Sequence, residues 1–160
     1  MTEPTLQKAT FAAGCFWSVE YKFSQQAGVV SATSGYEGGF VEAPNYKQVC
    51  TDRTGHAEVV EVQFDPSRTS YETLLRYFFT MHDPTTRNRQ GVDVGTQYRS
   101  AIFHHSPEQQ ATAQAVMQSL DAAEFSGRIV TELLPAATFW RAEEYHQKYN
   151  EKHPERACSL

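Results

Sequence analysis

A two-layer α/β sandwich of the α+β kind, a mixed sheet with helices packed on it and long loops around it, is what the sequence predicts. Three observations predict it. Short apolar or alternating runs with strand character recur between longer stretches of helical period, in an order that mixes the two. With 160 residues and 40% hydrophobic composition, the chain has the material for one domain with a sizeable core, expected over residues 1–160. Two polar, turn-rich segments, 37–56 and 82–97, interrupt the pattern, and irregular segments of that length in a compact domain are often functional.

In chain order, Leu6 to Ala13 reads as a first strand and Gly14 as a tight turn. Phe16, Val19, Phe23 and Ala27 then mark one face of a helix ending near Gly28. Residues 29–36 form a second strand, and 37–56 a long ordered loop. In 57–65, Glu58, Val60, Val62 and Phe64 share one face by the two-residue period, with Val59, Glu61 and Gln63 on the other. Thr69 and Glu72 have capping-box spacing before a helix over 71–81, fastened by Leu74, Leu75, Phe78 and Phe79. After the irregular 82–97, residues 98–105 read as a strand. Ser106, Pro107 and Gln109 cap a helix to about Glu124 whose stripe is Ala113, Val116, Met117 and Leu120. Residues 129–134 are a last strand, 139–149 an aromatic-rich helix-like end, and about 150–160 a mobile tail.

Composition excludes several classes. A net charge of −5 with scattered Lys and Arg offers no surface to track phosphates, so nucleic acid is not an expected partner. No apolar run reaches membrane-spanning length and the N-terminus lacks signal-peptide character, so a cytoplasmic protein without membrane contact is expected. Cys15, Cys50 and Cys158 are too few and too far apart for a disulfide framework or a CxxC-type zinc site. His104 and His105 would point to opposite faces of a strand, and no metal-ligand spacing occurs.

The chemistry-bearing stretch is 9–25. Cys15 lies at the start of a helix, where unpaired amides and the positive end of the helix favour a thiolate. A small buried hydrophobe is the plain alternative. The two aromatics after Cys15 tilt the reading toward a reactive sulfur beside an apolar wall. Glu58 begins an otherwise apolar strand face, where desolvation would keep a carboxyl group protonated; the alternative is a strand-end glutamate reaching solvent.

Several blocks carry a resemblance: GCFW at 14–17, GYEGG at 35–39, PNY at 44–46, TGHAEVVEV at 54–62, HDPTTRNRQGVDVGTQYRSAIF at 82–103 and AEEYHQKY at 142–149. Together they resemble the peptide-methionine sulfoxide reductases of the A type over nearly the full chain. The expected architecture has a ferredoxin-like core with long loops. The resemblance implies that Cys15 attacks the sulfoxide sulfur while Glu58 protonates the departing oxygen. It also implies that Phe16 and Trp17 form the wall for the S-methyl group, and that Tyr46, Asp93 and Tyr98 bond or position the oxygen and its surroundings. Selectivity for the S epimer, in free methionine sulfoxide or in oxidised proteins and peptides, follows from the same resemblance. Cys15 becomes a sulfenic acid that a second thiol resolves, and thioredoxin reduces the disulfide. Cys158, in a C-terminal segment where the family often places a recycling cysteine, is the expected resolving thiol. Cys50 is the possible alternative, otherwise read as a buried loop anchor. No bound cofactor or metal is implied, and a monomer is the simplest assembly. Ser18 and Asp52 depart from positions where the family commonly has glycine, with small local effects expected. A Cys/His hydrolase using His56 or His146, or a nonenzymatic methionine-binding module, are the readings to set against this one.

Overall fold

The computed structural model describes residues 5–152. Its strands are β1 (Gln7–Ala13), β2 (Val29–Glu37), β3 (Ala57–Phe64), β4 (Arg89–Gln90), β5 (Asp93–Val94), β6 (Ser100–His104), β7 (Glu132–Pro135) and β8 (Trp140–Arg141). The helices are α1 (Phe16–Ser24), α2 (Tyr46–Cys50), α3 (Tyr71–Phe78), α4 (Pro107–Leu120) and α5 (Tyr149–Lys152). Six strands make one mixed sheet in the order β7-β6-β1-β3-β2-β8, and β4 and β5 pair separately. The run β6-β1-β3-β2 is antiparallel at every neighbour, with α1 crossing from β1 to β2 and α3 from β3 to β6, which is the ferredoxin-like core expected from the sequence. Parallel β7 extends it beyond β6 and antiparallel β8 beyond β2.

The helical layer lies on one face. Phe11, Val60, Val62 and Phe64 of the sheet meet Phe16, Val19 and Phe23 of α1, Leu74, Leu75 and Phe78 of α3, and Ala113 and Val116 of α4. Phe11 is the hub, stacked between Phe23 at 4.8 Å and Phe78 at 5.1 Å between ring centroids. Offset aromatic pairs of this kind add to the burial of apolar area. The opposite face carries a smaller cluster of Ala12, Ala57, Val59, Ala101 and Phe103, covered by Leu134 and Phe139. The alternation read in residues 57–64 is therefore correct in phase.

Several boundaries differ from the sequence reading. α1 ends at Ser24, so Ala27 lies beyond it and is exposed. The segment 37–56 is not all loop: Asn45 builds a full capping box with Gln48 and starts α2. The cap of α3 is Ser70, whose hydroxyl accepts from the Thr73 amide, and not Thr69; the helix stops at Phe78. Ser106 caps α4 as expected, but the Gln109 side chain accepts from the His105 amide, one residue before the cap. Residues 121–125 continue α4 as a π-turn.

The end of the chain differs most. Residues 129–134 give only β7 and are not the last strand, because Trp140–Arg141 adds β8. The stretch 139–149 is mostly irregular rather than one helix: it holds β8, a 3₁₀ turn at Glu144–His146 and, at Tyr149, the start of α5. Its aromatic residues serve lateral packing rather than a helical stripe. Asn150 is buried in α5, which runs to Lys152, so residues 150–152 are ordered where a tail was expected; the rest of that expected tail, Cys158 included, lies outside the described residues.

Candidate active site

β1 delivers its last buried residue, Ala13, to Gly14, whose φ of 90 lets the chain reverse into α1. Cys15 is the N-cap of α1, one position earlier than a first-turn residue, and only 7% exposed. The amide of the next residue, Phe16, donates to Glu58 Oε1 at 3.2 Å. A carboxyl group thus sits one peptide unit from the thiol. Glu58 is 2% exposed and comes from β3, held opposite Tyr36 of β2 by the sheet register.

Two of the sequence blocks meet here for a steric reason. A Cβ on Gly39 would stand 2.4 Å from the His56 nitrogen and the Thr54 carbonyl, so GYEGG and TGH press backbone to backbone. His56 Nδ1 accepts from the Gly39 amide at 3.0 Å and Nε2 donates to the Val41 carbonyl at 2.7 Å. Both ring nitrogens are committed to shaping the loop, which leaves His56 no part as a base for Cys15.

Aromatic rings enclose the site. Phe16 is fully buried and stacks on Tyr46 at 6.3 Å; Trp17 lies 6.4 Å from Tyr46 and 3.8 Å from Tyr149. Burial first, then the charges of Glu58 and Cys50, push the Tyr46 phenol above its ordinary range. Tyr98 is pushed the same way by burial, then Glu58, Cys50, Asp93 and Cys15. Both phenols therefore remain proton-bearing donors, and Glu58 and Cys50 lie within electrostatic reach of both, with Cys15 within reach of Tyr98. Asp93 stands at the start of β5, half-buried, on the wall of a cleft of about 560 Å³ that Met81, Val92 and Phe125 also line.

Cys50 corrects an expectation. It is exposed at the end of α2, and its neighbour Val49 is the buried anchor. Burial of part of the side chain raises the Cys50 thiol pKa, while the hydrogen bond from Tyr46 pulls it back. The sulfur therefore belongs to the site region.

Sequence reasoning missed the segment that holds the site together. Glu143 accepts from the Tyr36 hydroxyl at 2.8 Å and the Tyr46 amide at 2.9 Å. Burial would raise its pKa, but these donors outweigh it and hold the carboxylate below its ordinary value. His146, wholly buried, accepts from Trp17 Nε1 at Nδ1, 2.9 Å away. An indole nitrogen only donates, so the imidazole proton is on Nε2 and the ring orients Trp17. Gln147 binds the Ser34 amide and carbonyl, Lys148 N donates to Glu20, and Asn150 Nδ2 reaches Ser18 Oγ at 3.3 Å. The only signal for these roles is the AEEYHQKY block itself, and Asn150, just past it, has none. Ser18 is buried against Asn150, so its hydroxyl serves this strap.

A cysteine at the N-cap position of α1, a buried carboxyl group bonded to the next amide, hydrogen-bearing phenols at hand and a His56 committed elsewhere are equipment for the thiol redox chemistry of an oxidoreductase. The model of the peptide methionine sulfoxide reductase family matches residues 7–160. The chain is 58% identical over 156 residues to the peptide methionine sulfoxide reductase MsrA of Acidobacterium capsulatum, covering 97% of this chain and all of that one. Among solved structures, methionine sulfoxide reductase A of Corynebacterium diphtheriae superposes with a TM-score of 0.91 at 38% identity, over 98% of this chain and 79% of that one. Mxr1 of Saccharomyces cerevisiae in its reduced form gives 0.92 at 34%, over 99% and 92%. The yeast protein has also been solved in complex with Trx2, with a TM-score of 0.68 at 24% identity, over all of this chain and 91% of that one. The chain belongs to the peptide methionine sulfoxide reductase family and is an enzyme of the MsrA type. The hydrolase and binding-module readings are set aside by that membership. Among the described residues no helix is long and apolar enough to cross a membrane, and no cluster of three or more metal-ligating side chains occurs.

Proposed function

We propose that the chain reduces methionine S-sulfoxide, free or in proteins, to methionine as a single-domain, cytoplasmic monomer. The observation that carries the reading is the 3.2 Å bond from the Phe16 amide to Glu58, which sets a buried carboxyl group beside the Cys15 thiol at the head of α1. Cys15 attacks the sulfoxide sulfur as a thiolate. Glu58, in its protonated form, gives its proton to the oxygen, and Tyr46 and Tyr98 donate to that oxygen as negative charge gathers on it. Asp93 positions the surroundings. The S-methyl group packs on Phe16 and Trp17. The substrate sulfur gains two electrons and leaves as methionine; the Cys15 sulfur loses them and carries the oxygen as a sulfenic acid.

Resolution follows from a second thiol. Cys158 attacks the sulfenic sulfur, water leaves, and a dithiol such as thioredoxin reduces the resulting disulfide. The complex of the yeast relative with Trx2 supports that class of donor. Cys50 is the second reading for the resolving thiol, favoured by its exposure and by its hydrogen bond with Tyr46 beside Glu58.

The test is reduction of epimerically pure methionine sulfoxide peptides with thioredoxin recycling and product identification. The S epimer should be consumed and the R epimer left, and Cys15→Ser should abolish even a single turnover while the protein stays folded. Consumption of the R epimer alone, or full single-turnover reduction by folded C15S protein, would overturn the reading. Disulfide mapping after one equivalent of substrate should reveal Cys15–Cys158. A predominant Cys15–Cys50 bond, with normal cycling in C158S, would give resolution to Cys50.

A further inference from the structure

Asp52 follows the C-cap Thr51 of α2 with a φ of 63, the left-handed conformation that commonly ends a helix and that glycine adopts most readily. Aspartate tolerates it better than most residues, yet the conformation alone gives no reason for a carboxylate. Its contacts do. Asp52 Oδ1 accepts from the Thr96 amide at 2.9 Å and also from the Thr96 hydroxyl.

Thr96 opens the 3₁₀ turn that ends in Tyr98. Arg99 Nη1 donates to the Thr96 carbonyl at 3.0 Å, and the Gly95 amide donates to the Asn88 carbonyl at 2.9 Å. Thr96 is thus gripped at its N–H by a carboxylate and at its C=O by a guanidinium. On the other side, the Asp52 amide donates to the Val49 carbonyl at 3.0 Å, which makes Asp52 the closing residue of the element that bears Tyr46.

We propose that Asp52 is a positioning residue that braces the turn bearing Tyr98 against the end of α2, and so sets the placement of the Tyr98 phenol at the sulfoxide oxygen. The inference rests on the reading of Tyr98 as an oxygen donor, and its test separates the two. Charge-assisted bonds to a carboxylate are among the stronger hydrogen bonds, and a donor that must meet a departing oxygen loses effect with small displacements. The aspartate here is therefore more than a tolerated replacement for glycine.

Asp52→Gly keeps a residue suited to the left-handed backbone and removes only the tether; Asp52→Asn keeps both acceptor contacts. Amide hydrogen exchange at Thr96 should accelerate in D52G and, with the contacts kept but the charge lost, accelerate clearly less in D52N. Single-turnover reduction should fall by roughly 10-fold in D52G, the scale of a misplaced group remote from the reacting atoms, and be retained in D52N. In the Tyr98→Phe background the same D52G change should add little, because the group it positions is gone. Unchanged exchange at Thr96 in D52G would overturn the brace. So would an equal fold loss from D52G with and without the Tyr98 hydroxyl, while a slow Y98F would leave the donor role of Tyr98 standing. A Y98F protein as fast as the wild type would instead remove the donor role, and the proposed route from Asp52 with it.

Discussion

Glu58 touches the backbone of the residue after the nucleophile, and that single contact sets a strict demand on what a substitution does. Glu58→Gln retains an acceptor for the Phe16 amide at near-constant volume but has no proton of carboxylic acidity to give. On the proposed mechanism its single-turnover rate should fall ~10²-fold or more, the usual scale for a positioned general acid. Rapid-quench measurement of methionine formation checks this without interference from disulfide recycling. An unchanged rate would pass the proton to Tyr46 or Tyr98. Cys15 and Glu58 are legible in the sequence because each is marked locally, one by a Gly-Cys turn into a helix and the other by strand alternation. Glu143 and His146 are not, since their partners Tyr36, Tyr46 and Trp17 lie about a hundred residues away along the chain and nothing local points to them. The Cys50 expectation fails for a related reason: without α2, nothing shows that Val49 and not Cys50 faces inward.

The element that most changes the account is the strap from Ala142 to Asn150. It makes few ladder bonds and is held by side chains: Glu143 on Tyr36 and Tyr46, His146 on Trp17, Gln147 on Ser34. Glu143→Ala leaves the buried Tyr36 hydroxyl without its acceptor and the head of α2 without its carboxylate. The cost should be about 1–3 kcal/mol of stability, the penalty of an unsatisfied buried polar group, read from urea unfolding. Tyr46 should also lose its fixed position, so KM for a sulfoxide peptide should rise. Glu143→Gln keeps one acceptor oxygen but turns an NH2 group toward the second donor, so it should recover only part of the stability. The sequence shows an aromatic-rich end here and suggests a helix. The competing pull is tertiary: Trp140–Arg141 completes the sheet edge beside β2, and the rings that follow pack sideways on α1 and α2.

At the scale of the whole molecule, the four central strands and two crossover helices are readable locally, while their ferredoxin-like arrangement comes from the family resemblance, since local pattern does not encode strand order. β4, β5 and β8 are not readable, being two residues each and defined only by their partners. The far face of the sheet holds an unusual burden. Glu37 is 1% exposed there, and burial lifts its carboxyl to about 7, with the Ala137 amide pulling it back and Glu61 adding to the rise. The folded state therefore binds this proton more tightly than the unfolded chain, whose value is near 4.5. Its stabilising contribution is present below 4.5 and lost as pH rises through about 7. Glu37→Gln, which keeps an acceptor for the Ala137 amide, should be more stable than the wild type above pH 7 and lose that advantage below pH 4.5, as thermal unfolding across pH will report.

The bond between Asn150 and Ser18 has a consequence for kinetics. Ser18 is three residues past Cys15, and Cys158 follows Asn150 by eight residues, a contour of at most ~26–29 Å. A thiol leashed that closely to the sulfur it must meet experiences a local concentration on the order of millimolar, whatever the concentration of enzyme. On the proposed assignment, the sulfenic acid should then be closed at a rate independent of protein dilution, and small external thiols at micromolar levels should fail to intercept it. Asn150→Ala moves the last such anchor back only to Lys148, whose amide donates to Glu20, so closure should stay intramolecular and mass spectrometry should still find no mixed disulfide.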